Sequence, residues 1–280
     1  MRYIVNSSGG LTSFEALRRA LAQHGKENVH AIFADTMIED EDLYRFLDDQ
    51  ERYFGIKIER VRDGRTPFQV MKDERCIKLP KFDMAPCSKI LKHRTIDRYL
   101  EANYAPGTYT RVFGMDWTEM HRVKHLTASL APQPVWFPLI EKPYVDKCHI
   151  AAELERIGIK VPRLYEMGFT HNNCGGGCVK AGQAHWANLY YTMPERYAVW
   201  EAHEQAMQVH LKKEVTILRE QIDGEMHTLS LKDFRERLES GGSYDKDDWG
   251  GCGCFAPVVQ LRMDELLLTS DVAGIEAVSA

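Results

Sequence analysis

No stretch of the 280-residue chain approaches the roughly 20 consecutive apolar residues that a membrane-spanning helix needs. Met1-Arg2 leads into only a short apolar run, too short for the core of a secretory signal. Both absences set the expectation of a cytoplasmic protein with no membrane partner. A surplus of basic charge is missing as well. Lys and Arg number 36 against 41 Asp and Glu, a net charge of −5, so no global positive field advertises nucleic acid, although a local patch stays open. No internal repeat and no low-complexity tract is present. The two adjacent glycines near the start are not followed by Gly-Lys-Ser/Thr, which excludes a Walker loop. Residues 255–280 contain no cysteine, so the chain's last segment offers no thiol nucleophile.

What is present is ordinary in bulk and unusual in detail. Hydrophobic residues make up 44% and charged residues 28%, the balance of a globular protein whose length suits one large α/β domain or a domain with an appendage. Tyr3-Ile4-Val5 reads as a strand, Ser8-Gly9-Gly10 as a turn, and Leu11 onward as a helix with Phe14, Leu17 and Leu21 on one face. Glycines there allow close backbone approach to a ligand. Free N–H groups at the helix start, with the hydroxyls of Ser8, Thr12 and Ser13, then make a phosphate cradle. Strands over Val29–Phe33 and Ile56–Val61 flank a helix at about 40–54. This alternation predicts a parallel sheet with helices on both faces. Ligands of such sheets lie at the carboxyl ends of the strands, where Asp35 and Thr36 also fall. Residues 62–86 read as irregular. A helix begins near Cys87 with Lys89, Lys92, Arg94 and Arg98 outward, a setting that favours thiolate at Cys87. Further strands are expected at Thr110–Gly114 and around Val135–Phe137, and a helix over Asp146–Ile157 with Cys148 packed on it.

The loop Ser8-Gly9-Gly10-Leu11-Thr12-Ser13 resembles the Ser-Gly-Gly-x-Asp-Ser loop of the PP-loop ATP pyrophosphatases, above all the phosphoadenosine-phosphosulfate (PAPS) reductase-like family, with Thr12 where that family usually has Asp. The resemblance implies an adenine nucleotide alpha-hydrolase-like α/β fold. It implies an ATP or related adenosine-nucleotide site, with Mg²⁺, on Ser8, Gly9, Gly10, Thr12 and Ser13, with Asp35 holding the nucleotide. Gly114 to Arg122 is similar to the family's glycine-to-arginine signature, which puts Glu119 and Arg122 in the pocket as catalytic candidates. Arg122 would offer a planar fork to phosphate oxygens.

Two glycine-flanked cysteine pairs follow, Cys174-Gly-Gly-Gly-Cys178 and Cys252-Gly-Cys254. In a reducing compartment they read as metal or redox groups. Soft thiolates suit an iron–sulfur cluster or structural zinc, and free redox-active thiols remain an alternative. By resemblance to cluster-bearing relatives, Cys87, Cys174 and Cys178 would hold a 4Fe-4S cluster, completed by Cys252 or Cys254, with Cys76 and Cys148 as bystanders. The stretch from Phe169 to Trp186 is also similar to phage-borne members of that family. The expected layout is a PP-loop nucleotide-binding domain at 1–160 and a mainly helical region at 161–280. In that region Pro194 opens a long helix to about Ile222, and Ser230 starts a shorter one. His171, His185, His203 and His210 read as surface or satisfied core residues. The expected activity is adenylation of a tRNA or DNA acceptor for sulfur transfer from an unidentified donor, by a homo-oligomer. The alternatives are sulfonucleotide reduction, for which the terminal Glu-Cys-Gly-x-His motif is lacking, and a non-enzymatic nucleotide- or redox-responsive cluster protein.

Overall fold

Alternation of apolar residues sets the first half of the chain. Strand β1 (Arg2–Ser7) runs through the glycine turn into helix α1 (Leu11–His24), and β2 (Val29–Ala34), α2 (Glu41–Phe54) and β3 (Ile58–Val61) follow. The computed structural model describes residues 1–78 and 85–250. Helix α3 (Pro67–Asp73), a π-helical turn (Ser88–Arg94) and α4 (Thr95–Asn103) lead to β4 (Tyr109–Phe113). Helix α5 (Met120–Leu130), β5 (Val135–Trp136) and α6 (Lys147–Arg156) complete this half. The five strands form one parallel sheet in the order β3-β2-β1-β4-β5. The chain leaves β1 toward one edge and later crosses to the other, so β1 lies at the point where the strand order reverses.

Successive strand residues point to opposite faces. Val5, Ala31, Phe33 and Val112 pack with residues of α1, α2 and α6, among them Leu17, Phe46 and Leu154. Ile4, Ile32 and Ala34 pack on the other face against Ile96 and Leu100 of α4. Helices cover both faces, as the sequence pattern predicts.

A separate core organises the second half. Helix α7 (Arg163–Glu166) precedes the cysteine loop, and α8 (Gln183–Thr192), α9 (Pro194–Leu211) and α10 (Leu231–Glu239) pack around Trp186, Tyr197, Trp200 and Phe234. A two-stranded antiparallel hairpin, β6 (Leu218–Ile222) and β7 (Glu225–Leu229), closes this core.

Two expectations are corrected. Residues 62–86 are not irregular throughout, because Thr66 caps α3 by accepting from the Gln69 amide while the Gln69 side chain returns to the Thr66 amide. The long helix from Pro194 stops at Leu211, not near Ile222, because Lys212 turns into the left-handed region. Asp223 and Gly224 both have positive φ, the backbone that a tight hairpin turn requires. The helix from Ser230 ends at Glu239, just before Gly241-Gly242, as expected. No helix among the described residues is long and apolar enough to cross a membrane.

Candidate functional site

The glycine turn sits at the carboxyl end of β1, between the ends of β2 and β4. Gly9 has φ +73°, and a Cβ there would lie 2.7 Å from Leu43 Cγ. Ser13 Oγ donates to the Gly10 carbonyl (2.8 Å) and accepts from the Gly10 amide (3.2 Å), while Ser8 Oγ donates to Ser13 Oγ (3.3 Å). The Leu11 amide donates to the Tyr165 hydroxyl at 3.3 Å. This corrects the picture of a fully open cradle. The Gly10 and Leu11 amides are engaged, and Tyr165 occupies the place an anion would take at the start of α1. The polarity that attracts an anion is the same polarity that holds the hydroxyl oxygen.

Asp35, at the end of β2, accepts from the Met37 amide (2.8 Å) and the Tyr44 hydroxyl (2.8 Å) through the same oxygen. Gly114, just past β4, abuts the loop itself: a Cβ there would lie 2.6 Å from the Thr12 carbonyl oxygen. Its glycine identity therefore serves the packing of β4 on the cradle. Glu119 is buried and accepts from the Arg122 guanidinium. Burial holds the Glu119 carboxyl above its ordinary value despite that partner. His93, on the Cys87 helix, is held below its ordinary value by burial, and positive charge from Arg111, Lys92 and Arg122 adds to this. Arg122 thus stands within electrostatic reach of the Cys87 helix.

The Phe169–Lys180 segment lies directly against the cradle. Asn172 Nδ2 donates to the Gly9 carbonyl at 2.8 Å. The Cys174 amide donates to Glu39, whose other oxygen accepts from Thr36 Oγ1 (2.8 Å) and lies 4.0 Å from Lys92 Nζ. Lys92 is therefore half-buried beside a carboxylate, not on an outer face. Asp40, fully buried, caps α2 and receives both Arg163 (2.8 and 2.9 Å) and Arg196 (2.9 Å). Arg196 also donates to the Gly175 carbonyl at 2.6 Å. Glu39, Arg163, Cys174, Arg196 and Trp200 line a cleft of about 660 Å³.

The three glycines between Cys174 and Cys178 answer to crowding. A Cβ on Gly175 would lie 2.7 Å from the Ile38 carbonyl oxygen, and one on Gly177 would enter the Trp200 indole. The amides of Gly176 and Gly177 do not turn toward sulfur but donate to the Asn173 and Cys174 carbonyls (both 3.1 Å). The expected thiolate at Cys87 is also corrected. Burial pushes its thiol up to about 11, the negative charge of Cys178 adds to this, and Lys92 only partly offsets it. Burial pushes Cys174 well above the ordinary value too, opposed by Lys92 and reinforced by Glu39, Cys178 and Cys87. The three cysteines thus share one neighbourhood. Among the described residues no group of three or more His, Cys, Asp or Glu side chains could hold a metal ion, so the expected ligand set of Cys87, Cys174 and Cys178 is not assembled there. Cys252 and Cys254 lie outside the described residues. Cys76 donates to the Lys78 carbonyl (2.7 Å), and Cys148 is half-buried on α6.

Sequence reasoning missed Glu39, Tyr165, Asn172 and the Asp40–Arg196 pair. It also misjudged His171 and His185, which are buried without being satisfied: both ring nitrogens of His171 and Nδ1 of His185 have no hydrogen-bond partner among the described residues.

No protein-family model matches the chain. A protein of Methanocaldococcus jannaschii described as uncharacterized is 27% identical over 175 residues, 61% of this chain and 35% of that protein, so the chain spans about a third of this relative's length. The crystal structure of phosphoadenylyl-sulfate (PAPS) reductase from Candida auris, a phosphate complex, matches with a TM-score of 0.43 and 13% identity over 60% of this chain and 79% of that one. At that score the likeness supports no argument about fold or function.

Proposed function

We propose that the chain is a PP-loop enzyme that binds ATP or a related adenosine nucleotide on Ser8, Gly9, Gly10, Thr12 and Ser13, with Asp35, Glu119 and Arg122 around it, and adenylates an acceptor for sulfur transfer. One observation carries the reading. The glycine loop stands at the switch point of the sheet, and Asn172 ties it to the segment that bears Cys174 and Cys178. A nucleotide there would lie beside half-buried thiols, the juxtaposition that coupling of phosphate chemistry to sulfur chemistry requires. Phosphate binding would displace the Tyr165 hydroxyl from the Leu11 amide or recruit it as a donor.

The reaction is redox-neutral. A carbonyl oxygen of a nucleic-acid or nucleotide acceptor attacks the α-phosphorus, the bond to the β-phosphate breaks, and pyrophosphate leaves with its electron pair. Hydrosulfide or a donor of equivalent sulfide then adds to the activated carbon, and AMP departs with the former carbonyl oxygen. Arg122 and Mg²⁺ would balance phosphate charge.

Thiolate is the donor type that suits a cluster, although Cys87, Cys174 and Cys178 do not form a metal-holding group among the described residues. Cys87, Cys174 and Cys178 are half-buried soft donors whose charges act on one another. The strand-like pairing of Gly250 with Ala181 brings the chain back near Cys178, two residues before Cys252. These cysteines, with Cys252 or Cys254, would hold a 4Fe-4S cluster that anchors the loop beside the cradle.

The test incubates anaerobic full-length protein with ATP, sulfide and bulk tRNA or DNA, and in parallel with PAPS plus thioredoxin. AMP and pyrophosphate that form only with the acceptor are the expected result. Sulfite in the second reaction with no AMP in the first would replace this reading by sulfonucleotide reduction. Neither product, with ATP merely raising thermal stability, would leave a binding protein.

A further inference from the structure

The cleft of about 660 Å³ beside the cysteine loop joins an apolar surface to a charged one. Ile38, Phe68, Met167, Met193 and Val199 make the apolar part. Phe68 stands edge to face against Trp200, with centroids 4.6 Å apart and planes at 69°, so this part carries an aromatic ring fixed by packing. The volume is within the range of sites that hold small organic molecules.

Two guanidiniums supply the charge. Arg163 donates to Asp40 through Nε and Nη2, and Arg196 donates to Asp40 and to the Gly175 carbonyl through Nη1. Arg163 Nη1 and Arg196 Nε and Nη2 donate to no acceptor among the described residues. These two side chains are 35% and 26% exposed, whereas that of Asp40 is fully buried. One buried carboxylate against two guanidiniums leaves a positive charge over, on planar forks already held in place. Pro194 and Glu195 bring the start of the 18-residue helix α9 onto the same lining, where its dipole favours an anion. Of the two carboxylates on the lining, Glu39 is engaged by Thr36 and the Cys174 amide with Lys92 beside it, and Glu195 is exposed.

We propose that this cleft binds one nucleotide unit of a single-stranded nucleic acid, its base on the apolar surface at Phe68 and its phosphate on Arg163 and Arg196. This rests on the adenylation reading above and deepens it, by naming where the acceptor is held. Cys174 is on the lining too, so a base seated there stands beside the sulfur loop. A flat base matches an aromatic and apolar surface, and a phosphodiester matches a planar donor fork; an uncharged apolar ligand would leave the guanidiniums unused. With a net charge of −5 the chain has no general attraction for nucleic acid, so the recognition is local to this cleft.

The test titrates full-length protein, purified without oxygen, into fluorescein-labelled single-stranded RNA or DNA of about 12 nucleotides, read by fluorescence anisotropy, with calorimetric titration of ATP in parallel. Binding of at least one strand is expected, and the tighter of the two names the acceptor. Val199 is 49% exposed, so its charge can be changed without opening the core. Val199→Glu should lose at least ~10-fold in affinity and Val199→Lys should gain, a sign reversal that misfolding cannot mimic. Val209→Glu, on the same helix but off this lining, should bind as wild type does. Arg196→Gln should lower the salt slope of binding by about 1. A wild type that binds ATP but neither strand, a Val199→Glu protein with wild-type affinity, or an equal loss in Val209→Glu overturns this inference and leaves the nucleotide reading intact. A wild type that binds neither ATP nor a strand overturns both.

Discussion

Alanine at Gly114 is the most direct probe of the cradle. The added methyl would stand 2.6 Å from the Thr12 carbonyl oxygen and 2.8 Å from the Ser13 nitrogen, both backbone atoms. Carbon and carbonyl oxygen settle no closer than about 3.3 Å, so the end of β4 and the start of α1 must separate by roughly 0.7 Å. Neither partner yields easily. β4 is hydrogen-bonded in register to β1, and α1 is anchored by Phe14 and Leu17, both fully buried. Overpacking of this kind costs about 1–3 kcal/mol. Placement of phosphate donors tolerates only about 0.5 Å, so ATP affinity should fall at least ~10-fold beyond the loss of stability. Gly10→Ala is the contrast, because its backbone is extended and its methyl meets only the Tyr165 hydroxyl at 3.0 Å and Ser8 Oγ at 3.5 Å. It should fold nearly as well as wild type. Urea denaturation and calorimetric titration with ATP on all three proteins decide the matter. A Gly114→Ala protein with the wild-type midpoint and the wild-type affinity would refute the packing argument.

Asp40→Ala should cost about 3 kcal/mol, the low end for a broken buried pair because Arg163 and Arg196 still reach water. A cycle with Arg196→Ala should show coupling above ~1 kcal/mol, and additivity within about 0.5 kcal/mol would refute the link. Glu204, whose two oxygens accept from the Ile217 and Leu231 amides (both 2.6 Å), is pushed by burial from 4.5 up to about 7. The folded chain thus holds a proton that the unfolded chain releases between those values, so stability should fall as pH rises from 4.5 to 7, by up to about 3 kcal/mol. Glu204→Gln should flatten that slope in urea titrations at pH 5 and pH 7.5, and an unchanged slope would assign it elsewhere. Gly177→Ala drives a methyl into Trp200 and should lower stability by about 1–3 kcal/mol, measured against Gly64→Ala, whose methyl meets open space.

Most of the sheet half was legible because it obeys short-range rules. Alternation marks β1, β2 and β4, and helical spacing marks α1 and α2, so the glycine loop, Asp35 and Gly114 fall at one sheet end once the strands are taken as parallel. The helical half misled where two periods coincide. Met207, Leu211, Val215, Leu218 and Ile222 recur at helical spacing, yet Ile222 is exposed and Leu218 is buried from a strand. The Asp223-Gly224 turn held the contrary signal. Glu39, Asn172 and Tyr165 were illegible for another reason. Their partners Cys174, Gly9 and Leu11 lie 135, 163 and 154 residues away, contacts that only the tertiary fold creates. His171 looked bland because a sequence cannot show that a buried ring goes without hydrogen bonds.

The Glu39 carboxylate bears on how the two halves communicate. One of its oxygens belongs to the end of β2 through Thr36, and the other to the Cys174 amide. A group held rigidly at both ends transmits displacement without needing a conformational switch. Any ligand that draws the β2 end toward the cradle pulls on the amide of the first cysteine, and any change at that cysteine is returned to the cradle with the same free energy. If the proposed nucleotide binds the cradle, its affinity and the state of the sulfur loop would be reciprocal quantities, and measuring either under two conditions of the other would determine both.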